Sequence, residues 1–93
     1  MTASREKVVR NEVGLHARPA ALFVKTAAQF SSSVTIENLT KGTMSANAKS
    51  ILSILKAAVQ MNDRVRIAAD GDDEEAAVSA LCDLVDNKFG ETE

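Results

Sequence analysis

The hydrophobic residues of this chain change their spacing repeatedly, and those changes restrict the fold more than any other feature. From Arg18 to Phe30, the residues Ala20, Phe23, Val24, Ala27 and Phe30 recur at intervals of three and four. That is one apolar face of a helix, with Lys25 and Gln29 pointing elsewhere. Ser31-Ser32-Ser33 stops it, and Val34 and Ile36 then alternate with Thr35 and Glu37 as in a half-buried strand. Asn38–Gly42 reads as a turn and Thr43-Met44-Ser45 as a returning strand, so 34–45 is expected to be a β-hairpin. Asn47 or Ser45 can cap a second helix over about 48–58. Its Ile51, Leu52, Ile54, Leu55, Ala58 and Val59 are too many for a narrow stripe, so this helix is either deeply buried or presents an exposed patch.

After a loop at 60–63, Val65, Ile67 and Ala69 alternate with Arg64, Arg66 and Ala68, a further strand. A third helix is expected to run to about Lys88, with Ala77, Val78, Leu81, Cys82, Leu84 and Val85 inward and residues 89–93 as a fraying tail. At the other end, residues 1–4 read as a loose start and 5–11 as a short strand centred on Val8 and Val9. The order β-α-β-β-α-β-α predicts an α+β open-faced β-sandwich: a four-stranded antiparallel or mixed sheet with three helices on one face. The other face must tolerate water, which suits Thr35, Glu37, Arg64 and Arg66.

Ninety-three residues fit a single domain, 1–93. A chain of this size buries about 60–65% of its unfolded surface, and its 45% apolar residues can fill one core. A lone cysteine, Cys82, excludes an internal disulfide and sits in an apolar helical pattern that marks it as a packing residue. There is no apolar run long enough for a membrane span and no signal segment, so a soluble cytoplasmic protein is expected. A formal charge of −2 with no tyrosine or tryptophan gives no case for nucleic acid. No Cys/His cluster has metal-ligand spacing, and no glycine-rich phosphate loop is present.

The chemistry concentrates in Val13-Gly14-Leu15-His16-Ala17-Arg18-Pro19-Ala20-Ala21, which holds the only histidine and the only proline. Pro19 suits the first turn of a helix, and a residue before proline is biased away from helical angles. His16 therefore stands just upstream of a helix N-terminus, where unpaired N–H groups and the macrodipole favour an anion. A nucleophilic imidazole, a guanidinium and that N-terminus together suit a phosphoryl group, with the backbone N–H groups of Ala17 and Arg18 as hydrogen-bond donors to its oxygens. The acidic run Asp70–Glu75 has a structural explanation: Asp72 with Glu75 fits a capping box at the start of the third helix.

At Gly14-Leu15-His16-Ala17-Arg18-Pro19-Ala20 the chain resembles the HPr family, the histidine-containing phosphocarriers of the bacterial phosphoenolpyruvate:sugar phosphotransferase system. The likeness continues through Phe23-Val24-Lys25, Ala48-Lys49-Ser50-Ile51 and Ala69–Glu74, and covers nearly the whole chain. It implies a relay in which phospho-Enzyme I gives a phosphoryl group to His16, at Nδ1, and His16 passes it to a histidine of an enzyme IIA protein or domain. It also implies that Arg18 is the active-site arginine, that no cofactor is needed, the phosphoryl group coming from phosphoenolpyruvate through Enzyme I, and that the chain is a monomer that does not turn over alone.

Ser50 matches the serine that a dedicated kinase, an HPr kinase/phosphorylase, modifies in some lineages. The following Leu52-Ser53 departs from the Met-Gly common in those members. The resemblance places a partner-docking patch on Ile51, Leu52 and Leu55, with Ala20, Ala21 and Lys25 as first-helix candidates, while Phe23 and Ile54 are expected in the core. The segment 38–47 is about three residues longer than in sugar-system members, and the Arg10–Gly14 loop resembles the nitrogen-branch carriers, so the acceptor stays open. A regulatory paralogue acting by protein binding and an acylphosphatase-like hydrolase are the alternatives.

Overall fold

The computed structural model describes residues 2–90. Its elements are β1 (Thr2–Val8), α1 (Ala17–Ala27), β2 (Ser33–Asn38), β3 (Ala46–Asn47), α2 (Ile51–Lys56), β4 (Arg64–Asp70), α3 (Glu74–Asp86) and a closing 3₁₀ turn, Lys88–Gly90. The strands form one sheet in the order β1-β4-β2-β3, and every neighbouring pair is antiparallel. β4 therefore fills the gap between β1 and β2, which run parallel to each other on either side of it. This is the expected open-faced α+β sandwich, with α3 lying on β1 and β4 and α1 packed between α2 and α3.

The period-two strands put Val34, Ile36, Val65, Ile67 and Ala69 into the core, where they meet Ala20, Phe23 and Ala27 of α1 and Ala77, Val78, Leu81, Cys82 and Val85 of α3. On the open face the register sets Glu6, Arg66 and Glu37 side by side. Arg66 bridges both carboxylates at 3.3 and 3.2 Å. Opposed charges across neighbouring strands fit a wet face, and each exposed pair adds little stability.

Several sequence expectations shift. Residues 2–4 are not a loose start but the first rungs of β1, paired with 68–70 of β4. The returning strand is Ala46–Asn47 rather than 43–45. The Asn38 carbonyl accepts from both Gly42 and Thr43 N–H, which holds a wide loop and delays pairing. Neither Ser45 nor Asn47 caps α2. Asn47 Oδ1 accepts from Lys49 N–H two residues on, and the cap falls to Ser50, whose hydroxyl accepts from Ser53 N–H at 3.3 Å. α2 is correspondingly shorter than expected.

Nor is the tail a fray as far as Gly90. Lys88 and Phe89 take left-handed backbone angles, and Phe89 turns back into the core at 1% exposure. Residues 91–93 of that expected tail lie outside the described residues.

The expected capping box is also displaced. Asp73, not Asp72, is the α3 N-cap, and its carboxylate leaves its own helix to accept from the Ser32 hydroxyl and from the N–H groups of Ser31 and Ser32 at 2.9 and 3.0 Å. Glu74 reaches back instead, to Gly71 N–H at 3.1 Å. The Ser32 hydroxyl and these two amides hold the Asp73 carboxyl down at about 2. A carboxyl whose folded value lies below its unfolded one, about 3.9, contributes stability above pH 4 that is lost as the pH falls toward 2. Urea denaturation across this range should show Asp73→Ala less stable than the parent at neutral pH, with the gap narrowing toward pH 2.

Candidate functional site

The His16 loop is built on the segment that follows α2. Gly14 takes φ +63°, and its Cα lies so close to Val59 that a Cβ there would stand 2.3 Å from the Val59 carbonyl oxygen. The next amide, Leu15 N–H, donates to that same oxygen at 3.0 Å, and the Leu15 side chain is buried. With Gly14 and Leu15 anchored, the chain emerges at His16 in extended geometry, φ −137° and ψ 156°. His16 is the N-cap of α1 and its side chain makes no capping hydrogen bond. The imidazole is therefore left for another use.

Ala17 follows with φ +54°, a left-handed angle that costs a non-glycine residue about 1–2 kcal/mol. Strain of this kind beside a reactive group is a recurrent feature of functional loops. The helix begins at Ala17, two residues earlier than the bias of a pre-proline residue suggests, so Arg18 lies inside its first turn. Pro19 is buried and has no N–H; Ala17 and Arg18 are the first-turn positions whose N–H groups have no acceptor within the helix. His16, Ala17 and Arg18 are all exposed. The Arg18 guanidinium is turned toward the closing 3₁₀ turn, with Nη2 3.9 Å from where a Gly90 Cβ would lie.

His16 borders an open groove of about 440 Å³ lined also by Val13, Leu15, Leu55, Ala58, Val59 and Gln60. Beside it, Ile51, Leu52 and Leu55 of α2 are exposed, Leu52 to 67%, while Ile54 is fully buried. The excess apolar width of α2 thus has both of the outcomes its sequence allowed: one side in the core and the other in solvent. Ala21 and Lys25 are exposed on α1. Ala20 is not: it is wholly buried against the core, so it cannot belong to a docking surface as expected. Phe23 is buried, as expected. Val13, exposed to 47%, extends the apolar surface along the groove and was missed, because an isolated apolar residue in a loop carries no period. Ser50 is half-buried and already used as the α2 cap.

Charge is divided along the chain. From residue 13 to 62, Arg18, Lys25, Lys41, Lys49 and Lys56 face a single acid, Glu37. The remaining twelve acidic residues lie outside that stretch. Among the described residues no group of three or more His, Cys, Asp and Glu could hold a metal ion. Nor is any helix long and apolar enough to cross a membrane.

Compared with known proteins, residues 3–87 match the family model described as the PTS HPr component phosphorylation site. The chain belongs to the HPr family. It is 41% identical over 86 residues to the phosphocarrier protein HPr of Xylella fastidiosa, a match that covers 92% of this chain and 93% of that protein. It is also 41% identical over 88 residues to the multiphosphoryl transfer protein of Salmonella typhimurium, covering 95% of this chain but only 23% of that protein. Among solved structures, HPr-C-His from Thermoanaerobacter tengcongensis superposes with a TM-score of 0.91 at 45% identity, covering 98% and 99% of the two chains. An HPr from Bacillus anthracis gives 0.84 at 37% identity, with 90% and 96% covered. HPr members are the phosphocarriers of the phosphotransferase system, and the exposed His16 stands in the motif that led to this family from sequence.

Proposed function

We propose that this chain carries a phosphoryl group on His16, taking it from phospho-Enzyme I and delivering it to a histidine of an enzyme IIA protein or domain. The observation that carries the reading is an exposed N-cap histidine with no capping duty, followed by first-turn amides and Arg18, inside an HPr-family chain. Phosphoryl transfer needs in-line positioning and charge stabilisation more than covalent machinery. His16 Nδ1 forms the new bond to phosphorus as the donor's bond to phosphorus breaks. The Ala17 and Arg18 amides and the helix dipole support the anionic group that results. Arg18, drawn toward Gly90 in the free chain, would swing to the phosphoryl oxygens and make charge-assisted hydrogen bonds.

The surface supports the same reading. A carrier has to present its histidine to two different proteins, and here the groove beside His16 continues into Ile51, Leu52 and Leu55. Exposed Arg18, Lys25 and Lys56, in a stretch with a single acid, suit a partner whose docking face is acidic. The family match and the single-histidine equipment support a carrier over an acylphosphatase-like hydrolase, which would have to turn over alone.

Incubation with phosphoenolpyruvate and Enzyme I is expected to add one phosphoryl group to the intact mass, labile in acid as a phosphohistidine is. No mass increase with several Enzyme I homologues would sink the proposal.

A further inference from the structure

The loop that carries His16 rests on residues 57–63, and that segment is itself held from the far side by the β2–β3 loop. Lys41, whose side chain is 34% exposed, projects its ammonium into three acceptors: Ala58 O at 2.6 Å, Gln60 Oε1 at 2.9 Å and Asp63 Oδ2 at 2.8 Å. The same Asp63 oxygen accepts from Gln60 N–H at 2.9 Å and from Asn38 Nδ2 at 3.0 Å. Asn38 completes the cage, donating to Ala57 O at 3.0 Å while its Oδ1 accepts from Lys41 N–H at 3.1 Å. Burial opposes ionisation of Asp63, but the hydrogen bonds from Lys41, Gln60 and Asn38 outweigh it and hold the carboxyl below its usual range.

The held segment is not relaxed by itself: Ala58 and Asn62 sit at φ +55° and +75°. Its outer side is the wall of the His16 groove, formed by Ala58, Val59 and Gln60, and Val59 supplies the carbonyl that fixes Leu15 N–H. Gln60 belongs to both sides at once. Removing the ammonium would leave Asp63, Gln60 Oε1 and Ala58 O short of a shared donor, and the wall free to relax toward ordinary backbone angles.

We infer that Lys41 is a positioning residue for phosphoryl transfer, clamping the 57–63 segment whose Val59 carbonyl sets the His16 loop. The inference rests on the carrier reading for its functional half, but its structural half can be tested without any phosphoryl donor. Lys41→Met keeps much of the aliphatic stem and removes all three donors. Hydrogen exchange in the full chain, compared with the parent, should show Leu15 N–H speeding up at least ten-fold more than Ile67 N–H of the central strand. A merely destabilising change would move both amides together. Phosphoryl acceptance from Enzyme I, measured well below the unfolding transition, should fall at least three-fold in kcat/KM.

Leu15 exchange rising no more than Ile67 exchange overturns the clamp, and so does a loosened Leu15 with an unchanged transfer rate. Smaller differences than those stated count against it as well. If Lys41→Met does not fold, Asp63→Asn, which removes the carboxylate charge but keeps its shape, is read by the same two measurements. If the parent itself accepts no phosphoryl group, the carrier reading fails and Leu15 exchange alone decides the clamp.

Discussion

His16→Ala is expected to accept no phosphoryl group from phosphoenolpyruvate and Enzyme I, while its folding stability stays within about 0.5 kcal/mol of the parent. Both halves follow from the same geometry. The imidazole is exposed at an N-cap where it makes no capping hydrogen bond, so the helix loses nothing specific when it is removed. The transfer loses its nucleophile, and the sequence contains no second histidine to substitute. Intact mass reads the first half and a urea denaturation midpoint the second. A phosphorylated His16→Ala would move the acceptor elsewhere in the chain, and a large stability loss would mean that the histidine has a structural role.

Two residues upstream the balance reverses. Gly14→Ala is expected to destabilise the fold by about 2–5 kcal/mol, the sum of a left-handed backbone penalty and an overpacked contact. The added methyl would meet a backbone oxygen, Val59 O, at 2.3 Å rather than the end of a flexible side chain. Relief has to come from separating the 13–16 loop from the 57–63 segment, which would also lengthen the Leu15–Val59 hydrogen bond. Against a total stability of roughly 5–15 kcal/mol for a domain, such a loss is large. The urea midpoint should fall sharply, and phosphoryl acceptance with it. An unchanged midpoint would show that the two segments part at little cost.

The His-Ala-Arg-Pro site was legible because its parts are adjacent in sequence, and a proline, a helix period and a lone histidine each carry a local signal. The sheet was legible for a similar reason: alternation at 34–37 and 65–69 names the inward residues whatever their partners. What could not be read are effects that depend on distant backbone. Gly14 is needed because Val59 approaches it, and no pattern near either residue announces the other. Asp72 looks like the cap from its neighbours alone, but the N-cap is Asp73, whose carboxylate finds donors at Ser31 and Ser32. Phe89 follows the last helical period and so reads as tail, although left-handed angles at 88 and 89 return it to the core. Ala20 is the opposite case: the helix period already sets it on the apolar face with Phe23 and Ala27, and that period, not its place in the motif, decides that it is buried.

The place of β4 between β1 and β2 has a consequence for the order in which the molecule can come into being on the ribosome. Among the described residues the first strand pairs in the sheet only with Arg64–Asp70, and pairs such as Glu6 and Arg66 are separated by 60 residues. Contacts of that span close late and slow folding. The shelf beneath His16 is likewise supplied by Val59 and its neighbours. A nascent chain that has exposed the whole His-Ala-Arg-Pro sequence therefore still lacks the surface that presents it. The surface that presents His16 is complete only once residues 57–70 have been made and β4 is inserted between β1 and β2.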